Sequence, residues 1–240
     1  MSHGKQFTLY THWGGANGWK VAYVVAALGL TYAPIYLDFD QKEQKSPEFL
    51  KLNPNGRIPA IIDHENGDFV LWESNAILLY LVDRYDKDHK LSAATEAEKA
   101  LQNQWLFFQA SGQGPYFGQF YFFNFSSPVK VPSAVKRYKD ETERVFGVLN
   151  DVLSKQEWSG SLFQSTRKTL MRLSRLVGNK MTIADISFIP WNALAFEGIL
   201  DYPVEDKFPA VHKWHADIIS CPAIKAAIKD RAVMVKKFTQ

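Results

Sequence analysis

The first third of the chain alternates between short apolar runs and longer helical patterns. Runs rich in aromatic and β-branched residues predict four strands, at residues 7–10, 32–37, 60–63 and 69–72. Residues 17–28 are apolar almost all round, which predicts a buried helix that ends at Gly29. Further helices are predicted from Ser46 and over 74–85. The predicted order is a parallel β-α-β unit, a helix, an antiparallel hairpin and a helix. This order describes a thioredoxin-like domain, which is placed at residues 1–88.

The rest of the chain shows helical periods and no convincing strand. A charged segment at 86–90 reads as a linker, and residues 95–240 are predicted to form an all-α domain. The predicted helices lie at about 96–123, 133–157, 163–177, 183–197, 209–219 and 222–230. Thr182 and Asp185 have the spacing of a capping box, which predicts the start of a buried helix. The predicted fold class is therefore α/β followed by all-α.

Composition narrows the class of protein. Hydrophobic residues make up 46% of 240, and the net charge of +3 is too small a surplus to indicate a nucleic-acid partner. The single cysteine, Cys221, excludes an intrachain disulfide and a CxxC redox pair. A reducing compartment and a cytoplasmic location are expected, with no secretory signal and no membrane-spanning segment.

Two motifs indicate a site for an amino-acid-like or peptide-like ligand. Pro59 stands after a loop and before a predicted strand, and in a thioredoxin-like domain a cis proline here exposes the backbone of Ile58 to an extended peptide. Glu73 and Ser74 open the next helix, whose first N–H groups can hold a carboxylate while Glu73 accepts from an ammonium group. Glu73 and Ser74 could also serve only as a helix cap.

Asn17 lies where the first strand turns into the first helix. A thiol bound at a helix N-terminus loses its proton more easily than a free thiol, which titrates near ~8.5. Because Asn is uncharged, it can stabilise a thiolate but cannot act as a base. Capping of the helix is the alternative role for this residue.

Taken in order, these motifs resemble one family. The chain is similar to cytosolic glutathione transferases, above all to the fungal group that resembles the yeast nitrogen-catabolite regulator, and also to bacterial nu-type enzymes. The resemblance runs from about Phe7 to Arg231. Its motifs are the segments 17–21, 37–39, 47–49, 53–60, 72–74, 105–109 and 178–185.

The resemblance implies a set of glutathione contacts. They are Asn17 at the sulfur, Gln44 and Arg57 at the glycyl carboxylate, Ile58 and Pro59 at the cysteinyl part, and Glu73 and Ser74 at the γ-glutamyl end. The second substrate would sit beside the sulfur, against the helical domain. Tyr116, Phe120 and Phe123 share a helical face there, which allows either an apolar pocket or core packing.

The predicted function is conjugation of the glutathione thiolate to small apolar electrophiles, a detoxification reaction. Glutathione would be a co-substrate, with no metal, and the resemblance implies a homodimer. Two alternatives stay open: glutathione-dependent reduction of disulfides or peroxides, and a non-catalytic ligand-binding or regulatory protein. Here the expected partners are glutathione and an electrophile or disulfide, without nucleic acid or membrane.

Two features depart from related transferases. Tyr10 ends the first strand and could be mistaken for the catalytic tyrosine of other classes, but the residues around Asn17 favour the asparagine. Residues 158–174 read as an exposed basic insertion, with a partner-binding or membrane-binding patch as the alternative.

Overall fold

The computed structural model describes residues 4–156 and 175–239. These residues divide into two compact units, one formed by Met1–Ser92 with Ile219–Gln240 and the other by Ala93–Ile218. Residues 158–174, read from the sequence as an insertion, lie outside the described residues, as does most of the helix predicted at 163–177.

The first unit contains a four-stranded sheet of order β2-β1-β3-β4. Its strands are β1 (Phe7–Thr11), β2 (Tyr32–Tyr36), β3 (Ala60–Asp63) and β4 (Phe69–Trp72), and its first helices are α1 (Ala16–Ala27), α2 (Pro47–Leu52) and α3 (Ser74–Tyr85). The pairing of β1 with β2 is parallel, and β3 pairs antiparallel with both β1 and β4. The predicted thioredoxin-like order of strands and helices is therefore confirmed.

Local sequence explains these boundaries. Pro34 lies in β2, an edge strand, where the N–H that proline lacks is not needed by a neighbour. Gly29 ends α1 with a φ of 71°, and Leu30 N donates to Val25 O at 2.9 Å, which is the hydrogen bond of a Schellman motif. Ser46 caps α2, since its hydroxyl accepts from Phe49 N at 3.2 Å.

The last helix packs differently from the sequence prediction. Residues 222–230 were expected to form a helix of the all-α domain, whereas α10 runs over Pro222–Thr239 and groups with the first unit. Its Phe238 ring lies 5.6 Å from the ring of Tyr36 and 6.5 Å from that of Trp13. The helix therefore packs on α1, and its Phe238 reaches the end of β2 and the loop between β1 and α1.

All regular secondary structure in the described part of the second unit is helical. It comprises α4 (Glu96–Phe108), α5 (Gly114–Tyr121), α6 (Pro132–Gln156), α7 (Ile183–Leu194), α8 (Val204–Lys207) and α9 (Pro209–Ile219). The helix predicted at 96–123 is broken by a π-helical segment, Gln109–Gln113, and a second one, Phe122–Ser126, follows α5. A third, Ala195–Ile199, extends α7. The short helix α8 was not predicted.

Candidate functional site

A cavity in the first unit gathers most of the predicted glutathione contacts. Its volume is about 270 Å³. The residues that line it are Asn17, Asn53, Asn55, Arg57, Ile58, Pro59, Glu73 and Ser74. They come from the start of α1, the loop before β3 and the start of α3, so that three separate parts of the chain meet there. Gln44 is not among them.

Asn17 is held at the cavity by a close approach of α1 to β1. It is the second residue of α1, in a first turn that carries no acidic side chain. The next residue is Gly18, where a Cβ would lie 1.8 Å from Thr11 Oγ1 and 2.9 Å from Thr11 Cβ. Because only glycine fits this contact, Gly18 fixes how the first turn of α1 meets the end of β1.

Replacing Gly18 with alanine is expected to push α1 away from β1. Overpacking of this kind costs about 1–3 kcal/mol, and here it also displaces the neighbouring Asn17. We expect a lower unfolding temperature and weaker glutathione binding, measured by calorimetry.

Gly147→Ala is the matched control for that substitution. Gly147 lies inside α6, and apart from the helix's own backbone no atom of the described residues is within 4 Å of a Cβ built there. Alanine is favoured over glycine in a helix interior by about 0.5–1 kcal/mol, so this variant should be slightly more stable and bind glutathione as before. Equal behaviour of the two variants would contradict the packing role of Gly18.

The loop before β3 is shaped by Asn53. This side chain is 1% exposed, and its Nδ2 donates to Arg57 O at 2.6 Å while its Oδ1 accepts from Asn55 N at 3.0 Å. These two bonds hold the backbone on either side of Gly56, whose φ is 62°. Neither Asn53 nor Asn55 was predicted to have a role, although both belong to the motif at 53–60.

The predicted cis bond is present between Ile58 and Pro59. Both residues line the cavity, and β3 begins directly afterwards at Ala60. Ile58 also packs on a small core formed by Leu37, Phe49 and Ala60. Ile58 thus packs on this core and also borders the cavity.

Glu73 and Ser74, at the start of α3, line the third side of the cavity. Glu73 has φ 71° and ψ 112°, a conformation that L-residues rarely adopt, at a cost of about 1–3 kcal/mol. Its side chain is exposed and makes no capping hydrogen bond to α3, whereas Ser74 is buried. A strained residue that does not cap its helix is better explained by a ligand contact than by capping alone. The start of α3 can then offer its N–H groups to a carboxylate.

Lys20 lies behind Ser74 and was not among the predicted site residues. It is 2% exposed, and its Nζ donates to Ser74 Oγ at 3.2 Å and to Asn75 Oδ1 at 3.4 Å. Burial lowers the pKa of Lys20 to about 7, and the carboxylate of Glu73 opposes that shift. From the sequence, Lys20 could have been found as the one charged residue in the otherwise uncharged helix at 16–27.

Two other predictions for the first unit have clear placements. Gln44 lies beside the loop, since a Cβ at Gly56 would be 2.9 Å from Gln44 O, but Gln44 is not among the residues that line the cavity, and its contact with glutathione stays a prediction. Its Oε1 is buried without a hydrogen-bond partner among the described residues. Tyr10 packs against Phe49 with ring centroids 5.7 Å apart and does not line the cavity, in agreement with the preference for Asn17.

The aromatic residues predicted for a second-substrate pocket lie in and just after α5. Phe120 is 2% exposed and belongs to the core of the second unit. Tyr116 and Phe123 are half-buried and pack on Tyr138 of α6, at 6.4 and 5.6 Å. Burial favours packing over a pocket for Phe120, and the pocket role of Tyr116 and Phe123 stays a prediction.

Neither His215 nor a metal-binding cluster adds a second site within the described ranges. His215 has a pKa lowered to about 4 by burial and meets the Phe196 ring edge-on at 4.7 Å, which fits packing. Residues 4–156 and 175–239 contain no group of three or more His, Cys, Asp or Glu side chains arranged to hold a metal ion. No helix within these ranges is long and apolar enough to cross a bilayer.

Known proteins of one family are similar to this chain in both of its parts. Residues 5–83 match the family model of the glutathione S-transferase N-terminal domain, and residues 163–222 match that of the C-terminal domain. Glutathione S-transferase 2 of Schizosaccharomyces pombe is 43% identical over 244 residues, covering 97% of each chain.

Two solved structures from Phanerochaete chrysosporium add detail. The glutathione transferase URE2P6, solved with oxidized glutathione, is 53% identical with a TM-score of 0.87, over 98% of this chain and 100% of that one. Ure2p5, crystallised with 1-(S-glutathionyl)-2,4-dinitrobenzene, is 46% identical with a TM-score of 0.83, over 98% of both chains. With its two family domains and relatives matched along nearly their whole length, the chain belongs to the glutathione S-transferase family.

Proposed function

We propose that this protein transfers glutathione to small apolar electrophiles. The observation that carries the proposal is that one cavity brings Asn17, Arg57, Glu73 and Ser74 together. Glu73 accepts from the γ-glutamyl ammonium group, and Ser74 with the start of α3 binds the neighbouring carboxylate. Arg57 supplies a positive charge for the glycyl carboxylate. The ligand is thereby oriented with its sulfur toward Asn17.

The reaction needs no covalent group of the protein. The bound thiol releases its proton to solvent, and the thiolate, steadied by Asn17 and the N-terminus of α1, attacks the electrophilic carbon. With a halonitroarene, the sulfur–carbon bond forms, the carbon–halogen bond breaks and halide leaves. The conjugate in the Ure2p5 crystal is the product of this type of reaction, which supports the proposal.

Reduction of disulfides is the second candidate, favoured by the oxidized glutathione bound to URE2P6. Two glutathione molecules would give their electrons to one disulfide, yielding oxidized glutathione and two thiols. Because Cys221 is the only cysteine of the chain and does not line the cavity, the exchange would run between glutathione and the substrate without a protein thiol.

Three assays separate these readings from each other and from a non-catalytic binding protein. They are conjugation of 1-chloro-2,4-dinitrobenzene, reduction of hydroxyethyl disulfide, and calorimetric titration with glutathione. We expect binding together with conjugation. Binding without either turnover would indicate a ligand-binding or regulatory protein, and no binding at all would refute the proposed site. A cytoplasmic homodimer with a detoxifying role is part of the same proposal.

Ser74→Ala tests the γ-glutamyl end of the site. Loss of a hydrogen bond to a charged group costs about 1.5–3 kcal/mol, so we expect glutathione to bind about 10- to 100-fold more weakly. Ser46→Ala is the matched control, because Ser46 caps α2 and does not line the cavity. It should lower stability by about 1 kcal/mol and leave glutathione affinity unchanged. Unchanged affinity in Ser74→Ala would remove Ser74 from the site.

A further inference from the structure

The buried lysine behind Ser74 has no role in the mechanism above. Lys20 follows Asn17 by three residues, so both lie on one face of α1. It is the one charged side chain of α1, and the rest of that helix segment is mostly apolar. A buried ammonium group is costly to a fold, and an apolar side chain of similar length would pack there without that cost. The position of Lys20 therefore calls for a reason outside packing.

The contact with Ser74 supplies one. A hydroxyl has one proton to donate and can accept through its lone pairs, whereas a charged ammonium group can only donate. While Lys20 is charged, the 3.2 Å contact requires Ser74 Oγ to accept, and the Ser74 proton is left to donate into the cavity. A neutral amine can accept that proton, which turns the Ser74 hydroxyl away from a ligand.

We propose that Lys20 is a positioning residue for glutathione: its buried charge orients the Ser74 hydroxyl toward the γ-glutamyl carboxylate, and binding of that carboxylate is coupled to proton uptake by Lys20. This inference rests on the proposed glutathione site. The carboxylate is recognised through Ser74, so that Lys20 acts on the ligand without touching it.

Charged groups lie on several of the elements around Lys20. Glu73, at the start of α3, raises the pKa of Lys20 through its charge. Arg57 lines the same cavity, and β1 carries no charged side chain. The charged residues of α3 beyond its start are Asp83 and Arg84, and those of α10 are Lys225, Lys229, Asp230, Arg231, Lys236 and Lys237. His12, before α1, is a further titratable group of this region; burial lowers its pKa, and the charges of Asp38 and Asp40 oppose that shift.

The sign of the coupling follows from these charges. Without ligand, burial holds the pKa of Lys20 at about 7, so that part of the population is neutral at that pH. A bound carboxylate adds negative charge on the far side of the buried Ser74 and raises this pKa, and the γ-glutamyl ammonium, which pairs with the exposed Glu73, opposes that rise only in part. Binding therefore takes up protons, and affinity falls as the pH rises through about 7 toward the higher pKa of the complex.

The test uses S-methylglutathione, which has no thiol proton to confuse the balance. Calorimetric titrations at pH 7 in buffers of different ionisation enthalpy measure the protons taken up, and we expect on the order of 0.5 per ligand. Lys20→Met should abolish the uptake, weaken binding by roughly tenfold and flatten the pH dependence. Its unfolding temperature without ligand should be unchanged or higher, because a buried charge is removed, whereas a merely structural lysine would lower it.

Two further variants complete the test. Lys99→Met, an exposed lysine of α4 paired with Glu96, should keep the uptake and affinity of the unchanged protein. Lys20→Arg keeps a permanent charge and should bind without proton uptake, a result that also excludes His12 as its source. Binding by the unchanged protein without proton uptake, or uptake that survives in Lys20→Met or Lys20→Arg, would overturn the inference while leaving the glutathione site intact. Failure of the unchanged protein to bind at all would refute the site itself.

Discussion

Replacing Asp185 with alanine is expected to lower the free energy of unfolding by about 3–5 kcal/mol, the range for removing one partner from a buried ionic cluster. The Asp185 carboxylate is 0% exposed. It accepts from Leu176 N at 3.0 Å, from Thr182 N at 2.8 Å and from Thr182 Oγ1 at 3.1 Å. Trp214 Nε1, also 3.0 Å away, is the fourth donor.

The size of this effect follows from what alanine leaves behind. Burial raises the pKa of Asp185, while the hydrogen bonds from Leu176, Thr182 and Trp214 and the charge of Arg175 oppose that shift. Without the carboxylate, these donors stay buried and unpaired, and each costs about 1–3 kcal/mol unless water enters. The capping-box spacing predicted the bond from Thr182 N, but Leu176 and Trp214 are brought in by the fold.

Thermal unfolding followed by calorimetry and by tryptophan fluorescence measures the loss. For a chain of this size, we expect a fall in the unfolding midpoint of about 10 °C. Asp201→Ala is the control, because Asp201 pairs with Lys139 at 2.6 Å with its own side chain 74% exposed. An exposed pair contributes about 0–1 kcal/mol, so that variant should unfold near the unchanged protein. Similar unfolding midpoints for both variants would contradict the stabilising role of the four hydrogen bonds that Asp185 accepts.

The local sequence pattern was sufficient to predict the sheet and most of the residues that line the cavity. Strands and helices of the first unit depend on apolar runs, on Gly29 as a cap and on Pro47 after Ser46, all of which act within a few residues. Pro59 and Glu73 were found because each sits at a boundary between a loop and a regular element. Features that depend on neighbours in sequence are thus readable from sequence.

Features that depend on distant partners were not readable. Periodicity shows that 222–230 has an apolar face, but not which unit that face packs against, and α10 packs on α1. A π-helical segment such as Gln109–Gln113 nearly preserves the helical period, so the pattern at 96–123 read as one helix. Lys20 was missed because its partner, Ser74, is 54 positions away.

The Gln44 contact stays a prediction. The resemblance implies that Gln44 binds the glycyl carboxylate, but Gln44 is not among the residues that line the cavity. Asn53 and Asn55 line it, beside Arg57. The buried Asn53 and the positive φ of Gly56 shape this loop, and neither role could be read from the motif alone.

Asn17→Ala is expected to lower kcat/KM for conjugation of 1-chloro-2,4-dinitrobenzene by about 100-fold, the loss that follows removal of one donor to a developing or bound anion. Without the amide donor, the pKa of the bound thiol should rise toward the ~8.5 of a free thiol. The deficit should therefore be largest at acidic pH and shrink as the pH rises. Ultraviolet absorbance of the bound thiolate, followed against pH, measures the shift directly.

Asn17→Asp makes this prediction sharper. It keeps the shape of the side chain and suits the N-terminal turn of α1, so the fold should tolerate it. Its carboxylate repels a thiolate, and turnover should fall below that of Asn17→Ala. Affinity for S-methylglutathione should stay the same in Asn17→Ala, because that ligand has no thiolate to stabilise. Full turnover in Asn17→Ala, or equal turnover in the alanine and aspartate variants, would assign thiolate stabilisation to the helix N-terminus alone and remove Asn17 from the chemistry.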